Sequence, residues 1–155
     1  MKKILVVDDD QQIRELLLDF FHQLGFEVTT AANGVEALGK FSPDDTDCIL
    51  SDLVMPDMGG LELLKKIKTQ APKIPFLVIT GYPSIETALE VMKQGAYDYI
   101  TKPFQMEDVR IKVERALQTQ ALQKSVKSLT GIAWAVIISI PIWLILGIIF
   151  GRVWK

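Results

Sequence analysis

Four points in the chain carry residues that could do chemistry together: Asp8-Asp9, Asp52, Thr80 and Lys102. Three follow short apolar runs and the fourth follows a strand-like stretch. Ile4 to Val7 leads into Asp8, Asp9 and Asp10, and Cys48-Ile49-Leu50 leads into Ser51-Asp52. Phe76 to Ile79 leads into Thr80-Gly81, and Tyr97 to Thr101 leads into Lys102-Pro103. Brought to one place, the carboxylates of Asp8, Asp9 and Asp52 repel one another unless a cation neutralises them. With no His or Cys in the set, the donors are hard oxygens, which suit Mg²⁺ or Mn²⁺. A hydroxyl and an ammonium then complete what phosphoryl transfer to a carboxylate requires. Asp52 is the candidate nucleophile, the metal clamps the transferring oxygens, and Thr80 and Lys102 bind those that remain.

Taken singly, these residues have plainer readings. Asp8, Asp9 and Asp10 suit the positive end of a helix dipole. Asp52 alone reads as a turn residue, and a Thr or Lys at a strand end is ordinary. Their joint placement at four strand ends is what makes a site.

The elements that must position them follow from the pattern between. After Asp10, a capping residue, a helix carries the apolar stripe Ile13, Leu16, Leu17, Phe20, Phe21 and Leu24, and Gly25 stops it. Phe26 to Thr30 reads as a second strand, and Asn33 with Glu36 as a capping box for a short helix to about Lys40. A loop from Ser42 to Asp47 leads to the Cys48 strand, then a helix from about Met58 to Thr69. A fourth helix opens at Pro83 or Ser84, with Ile85, Ala88, Leu89 and Met92 on one side, and Gly95 closes it. The last helix starts near Gln105 with Val109, Val113, Ala116 and Leu117 inward. Strands that alternate with helices call for an α/β fold, a doubly wound parallel sheet with right-handed crossovers. In such a sheet the strand ends share one edge, where chemistry collects.

Composition narrows the partners. The net charge of −2 gives no support to nucleic-acid binding. Acids dominate early: the first sixty residues hold twelve acids against four bases, whereas Arg110 to Lys127 holds five bases against Glu114. A single cysteine, Cys48, excludes an intrachain disulfide, and its neighbours suggest a buried thiol. The apolar run before Asp8 is too short for a signal peptide. His22, on a helix between Phe21 and Gln23, reads as a partly exposed structural residue rather than a phosphorelay histidine.

From Lys2 to about Leu117 the chain resembles the receiver domain of bacterial two-component response regulators, through ILVVDDD, SDLVMPDMGGLELL, VITGY and YDYITKPF. The resemblance implies a flavodoxin-like five-stranded sheet in the order 2-1-3-4-5. It implies Asp52 as phosphoacceptor, with Mg²⁺ held by Asp8, Asp9, Asp52 and the Val54 carbonyl. It further implies that Thr80 moves toward the phosphoryl group, that Lys102 binds it and that Tyr99 is the rotameric aromatic of the switch. The bond before Pro103 is expected to be cis. The phosphodonor would be a sensor histidine kinase or a histidine phosphotransfer protein, and phosphorylation would promote a homodimer. Gly59 stands where the family often has an acid. Val54 and Tyr82 stand where the family tunes phosphoryl lifetime, and both should shield the acyl phosphate from water.

The tail departs from a plain receiver. Ser128 to Gly151 is 24 residues without a charge, long enough as a helix to cross a hydrocarbon core of roughly 30 Å. Trp134 and Trp154 suit two interfacial anchors, and Pro141 should kink the span between them. The small-xxx-small spacing of Gly147 and Gly151 suits helix pairing. The expected organisation is a receiver over 1–117, a basic helical linker over 118–129, a transmembrane helix over 130–151 and a short tail over 152–155. That describes a single-pass protein of the inner membrane, its receiver in the cytoplasm and its linker at an anionic lipid surface.

Two other classes remain open at this stage. A phosphatase of the haloacid-dehalogenase type would use Asp8 as nucleophile and Asp10 as acid/base. Gln12 replaces that family's Thr or Val, and the chain has no cap domain. A phosphorylation-independent scaffold would not need Asp9, Asp52, Thr80 and Lys102 intact. The expectation is therefore a phosphoacceptor switch without an enzymatic output.

Overall fold

Apolar β-formers in an unbroken run want cover on both faces of their sheet, and the chain supplies it. The computed structural model describes residues 1–122. Its elements are β1 (Lys3–Val7), α1 (Gln11–Gln23), β2 (Glu27–Ala31), α2 (Gly34–Lys40), β3 (Cys48–Asp52), α3 (Gly60–Gln70), β4 (Phe76–Thr80), α4 (Ile85–Lys93) and β5 (Asp98–Thr101). A last helix, α5, begins at residue 106 and is followed to 122. All four strand ladders are parallel, in the order β2-β1-β3-β4-β5. This is the flavodoxin-like order that the resemblance implied.

The side-chain period of two in a strand divides the core. Leu5, Val7, Ile49, Phe76 and Val78 pack with Leu63, Leu64 and Ile67 of α3, Ala37 of α2 and Val91 of α4. Ile4, Val6, Leu50, Leu77, Ile79 and Ile100 face the other way, against Leu17 and Phe21 of α1 and Val109, Val113 and Ala116 of α5. Phe21 is fully enclosed, so Phe21→Ala would cost about 3–5 kcal/mol. Cys48 lies in the second layer as a buried thiol.

Local signals set the element ends. The Asp10 carboxylate accepts from Gln12 N–H and caps α1, and Gly25 ends that helix at φ +84°. Asn33 accepts from Glu36 N–H, but the return bond differs from a reciprocal capping box: Glu36 accepts from Ala32 N–H, one residue earlier. β2 starts one residue later than the pattern suggests, and α3 starts at Gly60 rather than Met58. Met58 is drawn into the core instead, after a left-handed Asp57 at φ 63°.

Two apolar stripes are narrower in cover than in sequence. On α1, Leu17 and Phe21 are buried, with Ile13 and Phe20 against them, while Leu16 and Leu24 are exposed. Leu16 sits at the margin of the stripe, and Leu24 is the C-cap residue, past the last full turn. On α4 the apolar side turns to solvent. Ile85, Leu89 and Met92 are exposed, and Val91 is the residue that enters the core.

The bases of α5 are partly neutralised within the domain. Arg110 pairs with Glu107 and Glu114, and Lys112 pairs with Asp98 at 2.6 Å. Met1–Gln120 forms one compact unit. The expected span over 130–151, its Trp anchors, its small-residue pair and most of the linker lie outside the described residues. Among the described residues no helix is long and apolar enough to cross a membrane.

Candidate functional site

The sheet delivers four of its strand ends to one edge. Asp8 follows β1, Asp52 closes β3, Thr80 closes β4, and Lys102 follows β5. Lys102 draws them together. Its Nζ donates to Asp8 Oδ2 at 2.7 Å and to Asp52 Oδ2 at 2.6 Å. Asp52 Oδ1 accepts from the N–H groups of Leu53 and Val54 at 2.5 and 3.2 Å. Asp8 Oδ1 accepts from Asp10 N–H at 2.9 Å. Asp9 is exposed, and among the described residues its carboxylate has neither a hydrogen bond nor an ion pair.

The chain is built tightly behind Asp52. Its carbonyl oxygen lies only 2.1 Å from where a Cβ on Gly60 would stand, and Leu53 O lies 2.9 Å from one on Gly59. Gly60 N–H donates to Leu53 O at 2.9 Å. A side chain at Gly60 would therefore collide with backbone, and α3 can start this close to β3 only through glycine.

Charge accounts for the cation. The carboxylates of Asp8, Asp9 and Asp52 each offer an oxygen, all within 4.8 Å of one another. Lys102 is the ammonium among them, so two negative charges remain uncompensated. Hard oxygens carrying that excess fit a divalent cation such as Mg²⁺. Val54 stands in the loop after Asp52 with its carbonyl taking no hydrogen bond among the described residues. It is thus free to serve as a further oxygen donor.

Burial and pairing compete here. Burial pushes the Asp8 carboxyl above its usual range, against the pull of Lys102 and of Asp10 N–H, and the charge of Asp52 adds to the rise. Burial works to lower the Lys102 ammonium, but its bonds to Asp52 and Asp8 outweigh that and leave it raised. The two partners thus disagree, since an ion pair alone would lower Asp8. One ammonium shared with Asp52 does not offset the burial of Asp8.

Thr80 is buried, and its Oγ1 accepts from Tyr82 N–H at 3.1 Å. Lys102 N–H donates to Thr80 O at 2.8 Å, which fixes the two beside each other. The Lys102–Pro103 bond is cis, as expected. Tyr99, half-buried on β5, has its hydroxyl enclosed and without a partner among the described residues. Val54 and Tyr82 are exposed. His22 is exposed on α1, away from the charged cluster in sequence and in its bonds. Sequence reasoning does not single out Arg14, whose Nη1 donates to the Asp8 carbonyl at 2.6 Å.

Known proteins are similar to this chain in sequence and fold. The family model described as the response regulator receiver domain matches residues 4–114. The regulatory protein AtoC of Escherichia coli is 37% identical over 129 residues, covering 83% of this chain and 28% of that protein. The DNA-binding transcriptional regulator NtrC of the same organism is 40% identical over 114 residues, covering 74% of this chain and 24% of its own. This chain thus spans about a quarter of the length of the curated relatives it matches. Among solved structures, a receiver domain protein (CheY-like) from Methanospirillum hungatei superposes with a TM-score of 0.76 at 34% identity, covering 79% of this chain and 98% of that one. Fold, acidic cluster and matched residues agree, and the chain belongs to the response regulator receiver domain family.

Proposed function

We propose that this chain accepts a phosphoryl group on Asp52 from a sensor histidine kinase or a histidine phosphotransfer protein, and works as a switch without an enzymatic output. The observation that carries the reading is the meeting of Asp8, Asp9 and Asp52, with the ammonium of Lys102 bonded to Asp8 and Asp52. Asp8, Asp9, Asp52 and the Val54 carbonyl would hold Mg²⁺. When bound, the metal supplies positive charge against the charge that develops on the phosphoryl oxygens. A carboxylate oxygen of Asp52 forms the new bond to phosphorus as the phosphorus–nitrogen bond of the donor imidazole breaks. The electron pair leaves with the imidazole. Lys102 and Thr80 bind the other phosphoryl oxygens, and Tyr99 follows Thr80 in the switch.

The phosphatase alternative loses ground on one bond. Asp10, its acid/base, has its carboxylate turned back onto Gln12 N–H as the cap of α1. The charge-free stretch after Ser128 supports a further part of the proposal: a single-pass anchor in the inner membrane, with the receiver in the cytoplasm. Confinement to a membrane raises effective concentration, so a weak phosphorylation-dependent homodimer becomes populated there. No nucleic acid enters the proposal.

The test is phosphate uptake from acetyl phosphate or a cognate kinase, with Mg²⁺. Asp52→Asn should abolish the acid-labile, hydroxylamine-sensitive label. Labelling of that variant at the parental rate would remove Asp52 from its role.

A further inference from the structure

Arg14 has no part in the reading so far. It lies in the first turn of α1, half-buried, and its guanidinium donates to the backbone carbonyl of Asp8 at 2.6 Å. That carbonyl belongs to the peptide between Asp8 and Asp9. The surrounding turn has other ties. Asp8 N–H donates to Ala31 O at 3.2 Å, Asp10 N–H donates to Asp8 Oδ1 at 2.9 Å, and Gln12 N–H donates to Asp10 Oδ1 at 2.8 Å. None of these grips the Asp8–Asp9 peptide itself.

Asp9 makes that peptide matter. Its exposed carboxylate has no partner among the described residues, so its aim is inherited from the backbone that carries it. The geometry points to Arg14 as a positioning residue: it pins the Asp8–Asp9 peptide and so keeps the Asp9 carboxylate within reach of Asp8 and Asp52 for a divalent cation. This rests on the Mg²⁺ reading proposed above. A charged donor on a carbonyl is a strong, directional bond, and partners one step behind a metal ligand commonly set affinity.

The rival account is that Arg14 acts through its charge. The two accounts differ in sign. A cation near the cluster repels Mg²⁺, so removing a merely electrostatic Arg14 would tighten metal binding. Removing a positioning Arg14 weakens it. A residue that only holds α1 in place would move the melting point without Mg²⁺ and leave affinity alone.

The experiment is calorimetric titration of Mg²⁺ into the full chain in detergent micelles, for the parent, Arg14→Gln and Arg14→Lys. Arg14→Gln should weaken Mg²⁺ binding about tenfold, and Arg14→Lys, which keeps a charged donor, should recover most of it. Phosphorylation of Arg14→Gln by acetyl phosphate should approach the parental rate once Mg²⁺ is saturating. Unchanged or tighter binding by Arg14→Gln overturns the proposal while leaving the Mg²⁺ site standing. A parent that binds no Mg²⁺ overturns both. Should Arg14→Gln unfold, Arg14→Lys against Arg14→Met makes the same comparison, since only the lysine keeps a donor.

Discussion

Replacing Tyr99 by Phe removes one hydroxyl from a ring that packs against the α3 side of the sheet. That hydroxyl is enclosed and has no hydrogen-bond partner among the described residues. A buried polar group in this position has lost its water and gained nothing, a penalty of about 1–3 kcal/mol. The phenyl ring keeps the packing, so Tyr99→Phe should raise stability by about 1 kcal/mol or more, or about 3–6 °C in melting temperature for a domain of this size. Tyr97 is the matched control. Its hydroxyl lies 3.1 Å from Thr119 Oγ1, and Tyr97→Phe should cost about 0.5–1.5 kcal/mol. Urea unfolding followed by far-ultraviolet circular dichroism reads both, and opposite signs are expected. A Tyr99→Phe variant less stable than the parent would mean that the hydroxyl is satisfied, and the argument from an orphaned group would be wrong.

Three more outcomes follow from residues around the site and in the core. Val54 has no polar group, and Tyr82 carries only a phenol at the far end of an exposed ring, with no carboxylate or amide to orient a hydrolytic water, so autodephosphorylation of the parent should be slow. Val54→Asn with Tyr82→Glu should speed it in a phosphate-release assay, and an unaltered rate would place control of water elsewhere. Burial pushes the Cys48 thiol up to about 12. At mildly alkaline pH it should therefore react with iodoacetamide only through unfolding, and much more slowly than a free thiol. The same shift has a sign for stability. The folded chain retains this proton above pH 9, where the unfolded one loses it, so stability falls as pH rises from about 9 toward 12. Cys48→Ala should flatten that slope.

Strand positions and the shared edge were legible because strands buried on both faces leave unbroken apolar runs, each ending at the polar residue that meets solvent. Asp8, Asp52 and Thr80 could be placed on that basis alone; Lys102 follows a shorter, half-buried strand that contains Asp98. Helix faces were read less well. Periodicity shows that Ile85, Leu89 and Met92 share a side of α4, but not which side meets the sheet, and the structure turns that side outward. Bonds between distant residues leave no local trace. The Lys102 bridge joins positions 94 and 50 residues apart, and Arg14 on the Asp8 carbonyl looks, in sequence, like any arginine of an amphipathic helix. The membrane reading concerns residues beyond those described, and so gains nothing from the fold.

The Lys102 bridge also sets a clock during synthesis. The ribosome delivers Asp8 first, Asp52 next, and Lys102 94 residues after Asp8. At typical elongation rates that interval is about 5–20 s. Until it closes, the nascent chain carries the crowded carboxylates without the ammonium that lies among them. β5, the edge strand, is also still missing. The carboxylate cluster therefore gains its ammonium only with the last strand, and α5, which covers Ile100, is made later still.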